Sequence, residues 1–333
     1  MTTEDTVITR RDGRVGRILL NRPRALNALD LGMIRACTAI LQTWANDPHV
    51  DAVVIEGAGD RAFCAGGDIR VLRDSQLNDR SIADEFFTEE YALNLLIANY
   101  PKPYIALIDG ICMGGGIGLS VHGHYRVATE HAGFGMPETI IGFFPDIGGT
   151  FILPRLPGQL GIYLGLTGLR INGADAVHAG LATHYTPRAK IAGLSAALAK
   201  DGAAALAAFN ETLPPFSLAE HRSAIDHCFS AETVPVIIER LKAQQAPWAA
   251  EALKALGHVS PSALFWTLKA LRRGRDLTLK DALAAEFALS KTTMAHPDFV
   301  EGVRAMVVDK DRQPKWTPAS VDAVDPASID ALF

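Results

Sequence analysis

The sequence predicts an α/β protein whose second part is α-helical, and two observations support this prediction. Short β-branched runs at Val15–Leu20, Ala52–Glu56 and Tyr104–Ile108 alternate with helical segments, a pattern typical of a largely parallel sheet covered by helices. From about Arg188 onward the apolar residues recur almost entirely at helical spacing. The chain therefore divides into a sheet-containing part and a helical part.

Strands and helices can be predicted in order along the first part of the chain. A strand is expected at Val7–Arg11, close to the N-terminus. Asp30 is placed to cap a helix that extends to Asn46, because the apolar residues after it recur at spacings of three and four. Another helix is expected over Ile82–Asn99, and Pro101 prevents its continuation.

The helical part carries recognisable start signals. Ser260 followed by Pro261 is typical of a cap and a first helical position. Thr278 and Asp281 resemble a capping box in which Asp replaces the usual Glu. A last short amphipathic segment is expected at Phe299–Val308.

Length and charge limit the classes of protein that fit. The chain has 333 residues, with 32 Lys+Arg against 37 Asp+Glu and a net charge of −5. One or two domains are expected at this length, and we place a core with the active site at 1–190 and a helical region packing on it at 191–333. The absence of a basic excess argues against a nucleic-acid-binding protein.

Cysteine usage and the N-terminal sequence predict the compartment. The four cysteines lie far apart with no C-x-x-C spacing, so neither a disulfide framework nor a structural zinc site is predicted. The N-terminus shows no signal-peptide or presequence pattern. Apolar runs are far shorter than the ~20 residues that span a bilayer. We therefore expect a cytoplasmic protein that has no membrane partner.

Two glycine-rich loops carry most of the chemical information. One is Phe63–Ile69, which contains Gly66 and Gly67, and the other is Asp109–Gly118. Each follows a predicted strand, where glycines allow backbone N–H groups to approach a ligand closely. Two converging loops could place two N–H donors on one developing oxyanion. Neither loop matches the dinucleotide fingerprint or a phosphate-binding P-loop.

A different chemistry is also compatible with the second loop. Gly110-Ile111-Cys112-Met113-Gly114 has the spacing of a nucleophile elbow, with cysteine as the nucleophile of an ester or thioester hydrolase. A buried cysteine that only packs is the alternative. His122 and His124 suggest a metal pair, but no third ligand has supporting spacing, so no metal site is predicted.

Two acidic residues lie in an otherwise apolar stretch after the second loop. Glu138 follows Pro137, and Asp146 lies between Pro145 and Gly148. Burial among apolar neighbours would raise the pKa of a carboxyl and suit it to proton transfer. A helix-start role for Glu138 and a turn role for Asp146 are the alternatives. We interpret both as functional carboxylates.

These motifs together resemble the crotonase (enoyl-CoA hydratase/isomerase) superfamily, and within it the 3-hydroxyisobutyryl-CoA hydrolase branch. The resemblance extends nearly from end to end. The matching segments are Asn21-Arg22-Pro23, Asn27-Ala28-Leu29, Phe63–Ile69, Phe86–Tyr91, Gly110–Gly123, Pro137-Glu138, Phe144–Thr150, Glu301–Ala305 and Asp309–Trp316.

The resemblance implies a spiral of ββα units followed by a helical C-terminal region. It also implies a CoA thioester whose carbonyl oxygen lies between the N–H groups of Gly67 and Gly115. Glu138 falls on the principal catalytic glutamate, as base or nucleophile. Asp146 and Glu90 fall on the other active-site carboxylates, although the local pattern alone assigns Glu90 to a solvent-exposed helix face. The implied substrate-binding backbone also includes Ala65, Asp68 and Ile69.

One departure separates this sequence from the hydratases that it resembles. They carry a second glutamate where this chain has Gly118, so addition of water by a glutamate pair is not expected. Hydrolysis of a short 3-hydroxyacyl-CoA, as in valine catabolism, fits better. A hydratase or isomerase that uses Glu138 alone, and a non-catalytic acyl-CoA-binding homologue, are the alternatives. No cofactor is expected beyond the CoA of the substrate, and Arg24 is expected near the CoA phosphates. A trimer, a hexamer and a monomer are all compatible with the resemblance.

Overall fold

The computed structural model describes residues 5–333 and contains ten short strands. All six strands and helices predicted for the first part match to within one residue at each end. The strands are β1 Val7–Asp12, β2 Val15–Leu20, β3 Ala52–Gly57, β4 Ala62–Cys64, β5 Tyr104–Ile108, β6 Ile111–Met113, β7 Tyr125–Ala128, β8 Gly133–Gly135, β9 Ile171–Asn172 and β10 His184–Tyr185.

The helices are concentrated in the second half of the chain, as the sequence predicts. They are α1 Leu31–Asn46, α2 Ile69–Leu77, α3 Ser81–Ala98, α4 Gly115–Val121, α5 Gly149–Ile152, α6 Leu160–Thr167, α7 Gly173–Ala179, α8 Arg188–Asp201, α9 Leu206–Phe209, α10 Arg222–Phe229, α11 Val234–Lys242, α12 Pro247–Leu256, α13 Pro261–Gly274, α14 Leu279–Ala295, α15 Pro297–Val303 and α16 Pro326–Asp330.

The predicted helix starts are confirmed by their capping contacts. The Asp30 carboxylate accepts a hydrogen bond from the Met33 amide at 2.9 Å and so begins α1. Ser260 and Thr278 cap α13 and α14 in the same way. The segment predicted at Phe299–Val308 is part of α15 and then widens into a π-helical turn over Arg304–Val308.

The described chain forms two compact units that are interleaved in sequence. Unit 1 comprises the described residues up to Gly67, together with Thr88–Phe134 and Ile171–Ser217. Unit 2 comprises Asp68–Phe87, Gly135–Arg170 and Leu218–Phe333. The division near residue 190 is a different partition, and it stays a prediction.

Unit 1 contains both sheets. The larger has the strand order β1-β2-β3-β5-β7-β10, with every pair after β1-β2 parallel. The smaller has the order β4-β6-β8-β9. In β2, a Cβ on Gly16 would lie 2.5 Å from the Trp44 ring, so this glycine allows α1 to pack closely on the larger sheet. The predicted, largely parallel α/β arrangement is confirmed.

One helical stretch of unit 1, Arg188–Phe209, is long and apolar enough by composition to cross a membrane. Its buried leucines, Leu194, Leu198 and Leu206, belong to a core cluster with Val54 and Ile105 of the larger sheet. This is the packing of an amphipathic helix on a sheet.

Unit 2 is built around α13. This helix contacts α5, α6, α11 and α16. A Cβ on Gly274, at its end, would lie only 1.9 Å from the Thr150 carbonyl oxygen. The backbone that enters α5 is therefore held directly against α13.

Candidate active site

The two glycine loops lie against each other in unit 1. The Leu29 amide donates to the Gly66 carbonyl at 2.8 Å, which fixes the first loop. Gly114, with φ 47°, precedes α4, so Gly115 is the first helical residue and its N–H has no acceptor within the helix. A Cβ on Gly115 would lie 3.4 Å from the Gly67 nitrogen. The structure thus brings together the two residues predicted to hold an oxyanion.

Glycine is required at both loops for this approach. Gly66 has φ 109°, which L side chains rarely adopt. A Cβ on Gly116 would lie 2.3 Å from the Cys64 carbonyl oxygen. A side chain at Gly116 would therefore push the loops apart, and one at Gly66 would strain the backbone of the first loop.

Glu90 lies beside the Gly115 backbone. Its side chain is 2% exposed, and its Oε1 atom is 2.5 Å from the position of a Cβ on Gly115. The preceding Glu89 is partly exposed and pairs with Arg35 at 2.7 Å. Neighbouring helical residues point about 100° apart, so one glutamate faces outward and the other inward. The prediction of a solvent-exposed Glu90 from the local pattern is wrong.

Sequence reasoning missed Asn94, one helical turn after Glu90. This residue is fully buried, at 0% exposure. Neither atom of its side-chain amide has a hydrogen-bond partner within the described part of the chain. Residues four apart share one face of a helix. A polar residue four positions after Glu90 was therefore the signal in the sequence that could have placed Asn94 on the same face as Glu90.

Of the other residues predicted to bind CoA, Ala65, Asp68 and Ile69 are partly buried and Arg24 is exposed. The Ala65 amide donates to the Leu26 carbonyl at 3.0 Å. Asp68 and Ile69 begin unit 2, with Ile69 as the first residue of α2. Arg24 lines a cavity of about 230 Å³ in unit 1. Their roles in binding stay predictions.

In unit 2, Glu138 begins a 3₁₀-helix over Glu138–Ile141 and is 8% exposed. The backbone fixes its position, because the Phe143 amide donates to the Glu138 carbonyl at 3.0 Å. The apolar neighbours therefore bury this carboxylate, as expected.

Asp146 is 6% exposed and occupies an unusual turn. The next two residues, Ile147 and Gly148, have φ of 54° and 81°. The Gly149 amide donates to the Asp146 carbonyl at 2.6 Å and begins α5. Sequence reasoning missed another buried carboxylate, Glu286 of α14, which accepts hydrogen bonds from this turn.

The structure argues against Cys112 as a nucleophile. Its thiol is completely buried, and this burial raises its pKa to about 12. A thiol must ionise to attack a thioester, so the packing alternative fits Cys112. For the histidine pair, His124 Nδ1 accepts from the Tyr104 amide at 3.3 Å. Among residues 5–333 no cluster of three His, Cys, Asp or Glu side chains could hold a metal ion.

Comparison with known proteins defines the class. The profile of the enoyl-CoA hydratase/isomerase family matches residues 15–333. The chain therefore belongs to the enoyl-CoA hydratase/isomerase family, as the sequence motifs predict.

Particular relatives narrow this class. The chain is 46% identical to "3-hydroxyisobutyryl-CoA hydrolase, mitochondrial" of Xenopus tropicalis, over 96% of this chain and 86% of the relative. It is 45% identical to the protein of the same name from Homo sapiens, over 99% of this chain and 88% of the relative. These names do not support the predicted cytoplasmic location.

Solved structures confirm the crotonase-like fold. A carnitinyl-CoA dehydratase from Mycobacterium thermoresistibile superimposes with a TM-score of 0.96 at 44% identity, covering 99% of this chain and 96% of the other. An enoyl-CoA hydratase from Rhodobacter sphaeroides 2.4.1 gives 0.93 at 41% identity, covering 98% and 97%. These names differ in reaction type from those of the vertebrate relatives.

Proposed function

We propose that this protein hydrolyses the thioester bond of a short 3-hydroxyacyl-CoA, with 3-hydroxyisobutyryl-CoA as the expected substrate. The names of relatives that match nearly the whole chain support this reaction. The observation that carries the proposal is the group formed by Gly67, Gly115 and Glu90 in unit 1.

This group suits a hydroxylated acyl thioester. The amides of Gly67 and Gly115 would polarise the thioester carbonyl and stabilise the oxyanion of a tetrahedral intermediate, where loss of one donor costs about 100- to 1000-fold in rate. The Glu90 oxygen beside Gly115 offers an acceptor for the 3-hydroxyl group. An acyl chain without that hydroxyl would lose this hydrogen bond inside a buried site, and sites built to bind a substrate hydroxyl discriminate strongly against analogues that lack it.

The remaining steps use the carboxylates Glu138 and Asp146. Glu138 either removes a proton from the attacking water or attacks the carbonyl carbon itself, giving an acyl-anhydride that water then cleaves. The C–S bond breaks, and the CoA thiolate takes up a proton as it leaves. Asp146 orients the water or the substrate hydroxyl. A single turnover in ¹⁸O-labelled water tests for the anhydride route. Direct attack by water always labels the acid product, so an unlabelled acid together with ¹⁸O in the Glu138 carboxylate would show that Glu138 attacked first and that water then cleaved the anhydride at the glutamyl carbon.

Hydration or dehydration is the second candidate, because the solved relatives carry such names. Against it, residue 118 is a buried glycine within α4. The second glutamate that the resembling hydratases have there is therefore missing. A single remaining glutamate favours hydrolysis over addition of water across a double bond.

One experiment separates these functions. The protein is incubated with 3-hydroxyisobutyryl-CoA, and free thiol and the conjugated 2-methylpropenoyl thioester are followed together. Thiol release that Glu138→Gln abolishes and Cys112→Ala retains supports the proposal. Enoyl formation without thiol release would establish a dehydratase, and binding without either product would indicate a non-catalytic homologue.

A further inference from the structure

A buried carboxylate outside the proposed reaction lies against the Asp146 turn. Glu286 of α14 is 1% exposed. Its Oε2 atom accepts a hydrogen bond from the Gly148 amide at 2.8 Å. Its Oε1 atom accepts from the Thr150 amide at 2.9 Å and from the Thr150 hydroxyl at 2.5 Å. One side chain therefore binds two amides of the segment that follows Asp146.

The turn that Glu286 holds is one that the sequence would not adopt readily. Ile147 is β-branched and has φ 54°, a left-handed conformation that is an outlier for such a residue. Strained backbone of this kind persists only where the surroundings fix it, and it is concentrated at functional sites. Here the fixing contacts come from α14, 138 residues further along the chain.

The charge of Asp146 affects the pKa of Glu286. Burial raises the pKa of Glu286 to about 8, and the nearby Asp146 carboxylate adds to this rise. The hydrogen bonds from Thr150 and Gly148 act in the opposite direction. From α13, Arg273 lines the same cavity of about 220 Å³ as Glu286 and is the charged side chain on that side.

We propose that Glu286 is the positioning residue for Asp146: by accepting the Gly148 and Thr150 amides, it fixes the turn that aims the Asp146 carboxylate. This inference rests on the proposed function, in which Asp146 takes part in hydrolysis. A glutamine of the same shape cannot replace Glu286, because both oxygens of a carboxyl group, ionised or protonated, can accept from a backbone N–H, whereas the glutamine NH₂ group cannot.

The test is a double-mutant cycle of Glu286→Gln and Asp146→Asn, with the exposed Glu239→Gln of α11 as matched control. Displacement of a reacting group by ~1 Å costs about 100-fold in rate. We expect Glu286→Gln to lower kcat about 10- to 100-fold while KM changes less than about twofold. In the Asp146→Asn background, Glu286→Gln should lower kcat little further. The control Glu239→Gln should leave kcat and KM unchanged in both the wild-type and the Asp146→Asn backgrounds.

Other results overturn the inference. If Glu286→Gln lowers only the melting temperature, or if the two losses multiply in the double variant, Glu286 does not act through Asp146. If Glu286→Gln fails to fold, Thr150→Val removes a single bond to Glu286, and an unchanged kcat in that variant counts equally against the proposal.

If the proposed function is wrong, the kinetic results differ from those that overturn the role of Glu286. Full activity in Asp146→Asn would remove Asp146 from the reaction, and absence of thiol release in wild type would remove the reaction itself. In both cases, hydrogen exchange of the Gly148 and Thr150 amides still reports on the turn. Unchanged protection of these amides in Glu286→Gln would show that Glu286 does not hold it.

Discussion

Gly115→Ala places one methyl group at the centre of the glycine-loop site. The new Cβ would lie 2.5 Å from Glu90 Oε1, against 3.4 Å for an ordinary contact. The shortfall is 3.4 − 2.5 = 0.9 Å, so the Glu90 carboxylate or the loop must move by about that distance. Because Glu90 is 2% exposed, its side chain cannot swing into solvent, and Leu29 at 3.1 Å blocks another direction.

We expect this substitution to lower kcat for thiol release by about 100- to 1000-fold. A displacement of ~1 Å in a catalytic arrangement costs about 100-fold, and disturbance of one oxyanion donor costs a comparable or larger factor. The fold should remain, because Gly115 has an ordinary helical φ and alanine favours a helix over glycine by up to about 1 kcal/mol.

The assay is steady-state thiol release combined with thermal unfolding by circular dichroism. Gly257→Ala is the matched control, since its Cβ would meet only carbonyl oxygens at 3.4 and 3.5 Å. Retention of more than a third of wild-type kcat in Gly115→Ala would refute the placement of the thioester carbonyl at this site.

Three further predictions concern buried polar groups. Cys112→Ala should keep kcat/KM within a few-fold, because a buried thiol with a pKa of about 12 is not ionised at neutral pH; loss of activity in a folded variant would restore the cysteine mechanism. Asn94→Leu should raise the free energy of unfolding in urea by about 1–3 kcal/mol, the cost of a buried unsatisfied polar group, and a fall would show that the amide is satisfied. The pKa of Glu286 is raised to about 8, so its stabilising effect is complete below its ordinary pKa and is lost as pH rises toward 8. Between pH 5 and 8 the unfolding free energy of wild type should therefore fall more steeply than that of Glu286→Gln, by up to about 1.4 kcal/mol per pH unit, and parallel curves would contradict the shift.

Much of the architecture could be predicted because its signals are local. The Asp30, Ser260 and Thr278 caps each bond an amide three residues away, so residue type and spacing are sufficient. The strand β5 is an uninterrupted apolar run and β3 begins with four apolar residues, as is typical of buried parallel strands. Strands of two or three residues, such as β9 and β10, were not predicted because so short a segment has no periodicity to read.

The amino-acid sequence was sufficient to predict the α/β class and the two glycine loops, and its resemblance to a family singled out Glu138, Asp146 and Glu90 as candidate catalytic carboxylates. The folded structure was needed to show which glutamate of the Glu89-Glu90 pair faces inward, that the Cys112 thiol is fully buried, and that Glu286 accepts hydrogen bonds from the turn after Asp146. The physical reason is distance along the chain. Periodicity and capping act between residues a few positions apart, whereas burial and hydrogen bonds such as that from Gly148 to Glu286 join residues that only the folded chain brings together.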